Sequence, residues 1–211
     1  MAEFPHVVVV GEGVAQGVPD QCVLQVGLNV MAQSPAEAVT RVGVVAAQVR
    51  DALGEQGVGP ADVRTTHLGV QDFFDQAKKQ VTARVGSYHL EIIVHDLGQV
   101  GDLLASMVTV AADSFQIRTL QLAVGDPEPL RREARRQAVE DARRRAAQLA
   151  DDAEIRLGRI ISIEQDYSPM PGRAWGFAGR ASGPAAVVPS IPIETGNLSV
   201  FERVTLTYEV E

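Results

Sequence analysis

Gln21-Cys22-Val23-Leu24-Gln25-Val26-Gly27-Leu28-Asn29-Val30-Met31 decides the fold class. Cys22, Leu24, Val26, Leu28 and Val30 share one side of a period-two repeat, and Gln21, Gln25 and Asn29 share the other. That alternation is the signature of a strand with one buried face. Directly after it, Ser34-Pro35-Ala36-Glu37 changes the period. Ser34 can accept from a free helix N–H, Pro35 suits the first helical position, and Glu37 can close a capping box. Val39, Val42, Val45, Val49, Ala52 and Leu53 then recur at helical spacing, and Gly54 and Gly57 stop the helix.

The same reading extends in both directions. Phe4–Val10 is a short apolar strand that Gly11-Glu12-Gly13 is expected to end, and Gly17 to Asp20 form a turn cluster. Val63–Phe73 and Val81–His95 are two strands of a long hairpin joined through Asp75–Gln80. Asp96 opens a second helix whose core side is Val100, Leu103, Leu104, Met107 and Val110. Phe115–Val124 is a strand. Asp126-Pro127-Glu128-Pro129 opens a third helix, running from Leu130 to about Asp152, with Ala134, Ala138, Ala142, Ala146 and Ala150 at strict four-residue spacing. Small residues in a stripe let a helix lie close to a sheet. Arg159–Tyr167 and Leu198–Val210 are the last strands, with Val204, Leu206, Tyr208 and Val210 facing one way.

Hairpins dominate this order and regular strand–helix–strand alternation is absent. An α+β fold follows: an antiparallel or mixed sheet of long strands with three amphipathic helices, spanning residues 1–211 as one domain. The pattern breaks over residues 168–192, a loop rich in proline and glycine that holds the sole tryptophan. Trp and Arg anchor many interfaces, so Arg173, Trp175, Phe177 and Arg180 are the candidate contacts with a partner or a second copy.

The bulk numbers restrict function. Of the 211 residues, 45% are hydrophobic and 22% charged, and the formal net charge is -8. A negative field disfavours nucleic acid and anionic membranes as general partners. The start carries no basic, apolar leader, no apolar run reaches the ~20 residues of a membrane span, and Cys22 is the lone cysteine. Together these point to the cytoplasm.

No catalytic, cofactor-binding or metal-binding set emerges by spacing. Gly11, Gly13 and Gly17 do not match a dinucleotide fingerprint, which needs a helix where this chain continues as strand. Cys22 lies in an apolar stripe and reads as a core residue. Among the four histidines, His89 and His95 stand about 20 Å apart along a strand at ~3.3 Å per residue, too far to share an ion. His89, Glu91 and His67 remain the one grouping that would suit a metal-dependent enzyme. The helix segment 131–145 carries seven arginines, which would suit nucleic-acid binding, but Glu133, Glu140 and Asp141 are interleaved and base-stacking aromatics are absent.

Several segments together resemble the SIMPL domain family. These are Val9-Val10-Gly11-Glu12-Gly13 with Asp20; Gly57-Val58 with Asp62-Val63 and Thr65; Gly86-Ser87-Tyr88; and, on the third helix, Ala138, Asp141-Ala142, Arg145-Ala146 and Leu149-Ala150 before Leu157-Gly158. Ile193-Glu194-Thr195-Gly196 and Val204 to Glu209 resemble its closing segment. Asp151-Asp152-Ala153-Glu154 departs from the pattern, standing where the family has a glycine before Leu-Gly. The missing leader is a second departure, so the family's usual periplasmic location is not expected to carry over. The resemblance implies an α+β fold, ring-like or channel-like homo-oligomers in some members, and links to oxidative-stress tolerance in bacteria and to signalling kinases in animals. It supplies no catalytic residues. The function expected is a non-catalytic, self-assembling binding or scaffold protein linked to stress response, without cofactor.

Overall fold

A computed structural model describes residues 5–165 and 195–211. In chain order the elements are β1 (His6–Gly17), β2 (Gln21–Ala32), α1 (Pro35–Glu55), β3 (Val63–Asp75), β4 (Gln80–Val94), α2 (Val100–Ala111), β5 (Phe115–Ala123), α3 (Glu128–Asp152), β6 (Leu157–Gln165) and β7 (Leu198–Val210). The order and types agree with the sequence reading, and the fold is α+β. The strands form two antiparallel sheets, β1-β7-β6 and β3-β4-β2-β5.

The described residues form two compact units. In the unit of residues 19–123, α1 and α2 bury one face of the four-stranded sheet. Cys22, Leu24, Val26 and Leu28 of β2 are fully buried, as their alternation requires, and they join Leu90, Ile92, Val42, Val49, Leu103 and Met107 in one core. Two stripes are rotated from the sequence expectation. The α1 core face uses Ala38 and Ala46 while Val39 is exposed, and α2 closes on Ala111 while Val110 is exposed. On α1 the alanine Ala38 lies over Gly86 of β4, where a close approach leaves little room for valine.

The start and stop of α1 follow the sequence. Ser34 Oγ accepts from Glu37 N–H at 3.2 Å, and the Glu37 carboxylate accepts from Gln33 N–H at 3.0 Å. Gly57 takes φ +82° just past the helix, with Gly57 N–H donating to Gly54 O and Val58 N–H to Leu53 O. This is a Schellman cap, and Val58 packs on the core as that motif requires. Gly86 of β4 lies under α1, where a Cβ would come 2.6 Å from Ala38 O.

The other unit comprises residues 5–18, 124–165 and 196–211, with α3 packed on β1-β7-β6. Here Gly11-Glu12-Gly13 does not end the first strand. It lies in the middle of β1, which continues to Gly17. The glycines are needed because α3 touches the strand's backbone: a Cβ on Gly11 would meet Ala138 O at 2.0 Å, and one on Gly13 would meet Ala134 O at 1.9 Å. The alanine stripe is the packing face, with Ala134, Ala138, Ala142 and Ala146 fully buried.

Three side chains of α3 then bond the outer edge of β1. Gln137 Oε1 accepts from Val14 N–H at 3.3 Å and Asp141 Oδ2 from Glu12 N–H at 3.1 Å, while Arg145 Nη1 donates to Val10 O at 3.1 Å. Four helical residues advance ~6 Å and two strand residues ~6.6 Å, so positions 137, 141 and 145 keep pace with 14, 12 and 10. The helix therefore supplies the hydrogen bonds that a further strand would have made.

At the far end of α3, Glu154 N–H donates to Asp151 O and Ile155 N–H to Ala150 O. This is again a Schellman cap, but its left-handed position holds Glu154 at φ +54° in place of glycine. A side chain there costs about 1 kcal/mol or more. Glu154→Gly is expected to raise unfolding stability by about 1 kcal/mol, measurable by urea denaturation; a loss of stability would contradict this cap.

Candidate functional site

The densest group of titratable side chains lies on the face of the four-stranded sheet opposite α1 and α2. His67 of β3 pairs across the ladder with His89 of β4, their ring centroids 4.7 Å apart. Arg118 Nη1 of β5 donates to His89 Nε2 at 3.0 Å, which leaves the neutral ring's proton on Nδ1. Burial, the Arg118 guanidinium and the His67 ring, in that order, hold His89 below the ordinary imidazole value.

One rung along, Glu91 accepts from Arg64 at 2.7 Å and from Gln25 at 3.2 Å. The alternative metal grouping of His67, His89 and Glu91 is thus only partly assembled. The two imidazoles meet, but Glu91 is committed to Arg64 and Gln25. Among the described residues no three His, Cys, Asp or Glu side chains converge as an ion would need. His95 is apart from this group, 3.1 Å from Asp62. Arg118 was not singled out by sequence; the available signal was that it is the only charged residue of β5.

Cys22 is fully buried and its thiol is pushed up to about 11 by burial, which makes it inert. Along α3 four of the seven arginines pair with carboxylates of the same helix. Arg136 bridges Glu133 and Glu140, Arg144 and Arg145 flank Asp141, and Arg135 lies near Glu128. A helix face laced with its own counterions offers phosphates little free charge. Arg173, Trp175, Phe177 and Arg180, with the whole of residues 168–192, lie outside the described residues.

The three-stranded sheet has an apolar face of its own. Opposite α3, Val8, Val10 and Val14 of β1, Phe201 of β7 and Ile161 of β6 are exposed, Phe201 at 59%. Val14 and Phe201 are direct cross-strand partners.

The SIMPL profile, described as "Protein of unknown function (DUF541)", matches residues 7–208. The chain belongs to the SIMPL family. It is 29% identical to the 26 kDa periplasmic immunogenic protein of Brucella melitensis over 98% of this chain and 85% of that protein. The corresponding Brucella abortus protein matches equally well. The uncharacterized protein YggE of Escherichia coli is 26% identical over 81% of this chain and 71% of that one.

The family membership makes sense of residues that carried the resemblance. Gly11 and Gly13 meet the alanines of α3, Asp141 bonds Glu12, and Gly57-Val58 is a helix cap. These names also correct the cytoplasmic expectation. That expectation rested on an absent leader and one cysteine, whereas two relatives aligned over nearly the whole chain are named periplasmic. No helix among the described residues is long and apolar enough to cross a membrane.

Proposed function

We propose that this SIMPL protein works in the periplasm as a self-assembling binding or scaffold protein, without chemistry of its own. The observation that carries this reading is the exposed apolar face formed by Val8, Val10, Val14, Ile161 and Phe201. The Glu12–Arg203 pair divides this face into two apolar groups, one at Val8 and Val10 and one at Val14 and Phe201, and exposed apolar groups on one sheet face favour an interaction surface. The partner is a second copy of the chain. Glu12 and Arg203 form an ion pair on the same face at 2.8 Å, which gives a self-complementary surface both signs of charge. The names of the Brucella relatives support the periplasmic location, and the family resemblance supports a part in stress tolerance.

Sedimentation equilibrium tests the assembly. The wild-type chain is expected to form a discrete oligomer at micromolar concentration. Phe201→Glu should weaken it by at least about tenfold, since a charge would be buried unpaired in the contact. A wild-type chain that stays monomeric, or a Phe201→Glu chain that assembles unchanged, would sink this reading.

A further inference from the structure

The helix-free face of the four-stranded sheet holds a cationic group that neither the fold nor the proposed assembly uses. We propose that His67, His89 and Arg118 form a binding site for a small phosphate-class oxyanion. The first ground is the path of the backbone. β3 pairs Thr65 with Leu90 and then His67 with His89, so Thr66 is an extra residue. β5 pairs Ile117 with Val26 and then Thr119 with Gln25, so Arg118 is an extra residue. Two bulges, one on each edge strand, thus lie on either side of the Leu90–Val26 rung, which neighbours the His89–Gly27 rung. In a regular ladder Thr66 would stand opposite His89 and His67 would face the core side. Bulges re-aim side chains in this way beside functional sites.

The second ground is the floor beneath the group. The β2 residue paired with His89 is Gly27, and a Cβ there would contact the His89 ring at 3.4 Å and the Arg118 chain at 3.6 Å. On β3, a Cβ at Gly69 would meet the His67 ring at 2.8 Å. The absence of those two side chains lets the guanidinium and the two imidazoles lie low on the sheet, side by side.

The third ground is charge. β2 carries no charged residue, and Arg118 is the only one on β5. The nearby Glu91 of β4 is neutralised by Arg64 of β3 at 2.7 Å, and the other charged residues of this hairpin that could compete, Asp72 and Arg84, pair with each other at 3.1 Å. Gln116, which pairs with Gly27, and Asn29 and Ser87 on the rung beyond are neutral and bonded among themselves. Among the described residues Arg118 therefore has an imidazole for a partner and no carboxylate.

Its guanidinium offers five donors, of which one is used here, and each imidazole offers one more when neutral and two when protonated. A tetrahedral dianion can accept from all three side chains at once, and it favours the protonated imidazoles. A divalent cation is disfavoured at the same place by the Arg118 charge. By linkage, a bound dianion raises the protonation midpoints of both histidines, and acidification tightens its binding until the phosphate itself gains a proton.

The test is a histidine NMR titration of the full chain in inorganic phosphate, in chloride of equal ionic strength, and in acetate. Phosphate is expected to raise the His67 and His89 midpoints saturably, leaving His95 unmoved. Arg118→Gln should weaken that response roughly tenfold, as the loss of a charge-assisted donor pair implies. His67→Gln should weaken it as well while His89 still reports. Because all three side chains face outward on the sheet, backbone spectra of both variants will show whether the fold is kept. Midpoints that phosphate does not move, that acetate moves equally, or that Arg118→Gln leaves responsive would each overturn the site. None of these outcomes depends on whether the chain assembles.

Discussion

Gly11→Ala is expected to destabilise the protein by about 3 kcal/mol or more, and Gly11→Val by little beyond that. The reason both are similar is that the first atom added does the damage. A Cβ at Gly11 would sit 2.0 Å from Ala138 O, 2.4 Å from Ala142 N and 2.7 Å from Ala142 Cβ. Two of these are backbone atoms in the middle of α3, so no side-chain rotation relieves the contact. Either α3 moves off β1 or β1 leaves the sheet, and each alternative disrupts the buried cluster of Val9, Ala138, Ala142, Val204 and Leu206. Gly13→Ala should behave in the same way, given 1.9 Å to Ala134 O. Gly43→Ala is the internal control. It lies within α1 with no atom within 4 Å of the added Cβ, so it should gain about 0.5–1 kcal/mol from helix propensity. Urea unfolding of the four variants decides the matter. If Gly11→Ala came within about 0.5 kcal/mol of wild type, the helix–strand contact described for this unit would be wrong.

Why the glycines misled the sequence reading is a matter of distance along the chain. The alternation of β2, the capping box at Ser34 and the alanine stripe of α3 are all signals within one element, so each was readable from its own residues. Gly11-Glu12-Gly13 has a meaning only in company with Ala134, Ala138 and Ala142, more than 120 positions later. Alone, two glycines in three residues look like a turn. Both halves of that contact were nevertheless visible, as a glycine pair and as a small-residue stripe that needed a close neighbour. The histidine site is a harder case. The structure does bring His67 and His89 together, but Arg118 reaches over Gly27 from an unpaired bulge position between Ile117 and Thr119, and bulges shift register without leaving a mark in the residue pattern. Glu91 was grouped wrongly, because strand periodicity gives the face of a residue but not its partner there, which is Arg64.

Asp141→Ala is expected to cost about 2–3 kcal/mol, unusually much for a residue on an arginine-rich helix. Asp141 is 7% exposed and is the acceptor for Glu12 N–H on the outer edge of β1, with Arg144 and Arg145 on either side. Its removal leaves a part-buried N–H without its partner and two guanidinium groups without a counterion. Asp141→Asn should cost less, since an amide oxygen can still accept from Glu12 while the charge is gone. The pair of variants separates hydrogen bond from charge, and pH provides the check. The Glu12 N–H first, and then Arg145 and Arg144, hold the Asp141 carboxyl below its ordinary value. A carboxyl depressed by folding stabilises the native state above its unfolded value of about 3.9, and loses that contribution as pH falls through the folded value. The stability gap between wild type and Asp141→Asn should therefore be widest near neutrality and close at acidic pH below 4. A gap independent of pH would mean that shape and not charge secures the contact. There is a further consequence for assembly. With Asp141 gone, β1 presents unpaired edge groups at Glu12, and an open strand edge invites pairing with other chains. Asp141→Ala should then aggregate on mild heating where Phe201→Glu does not, because the first exposes backbone while the second only charges a side-chain surface.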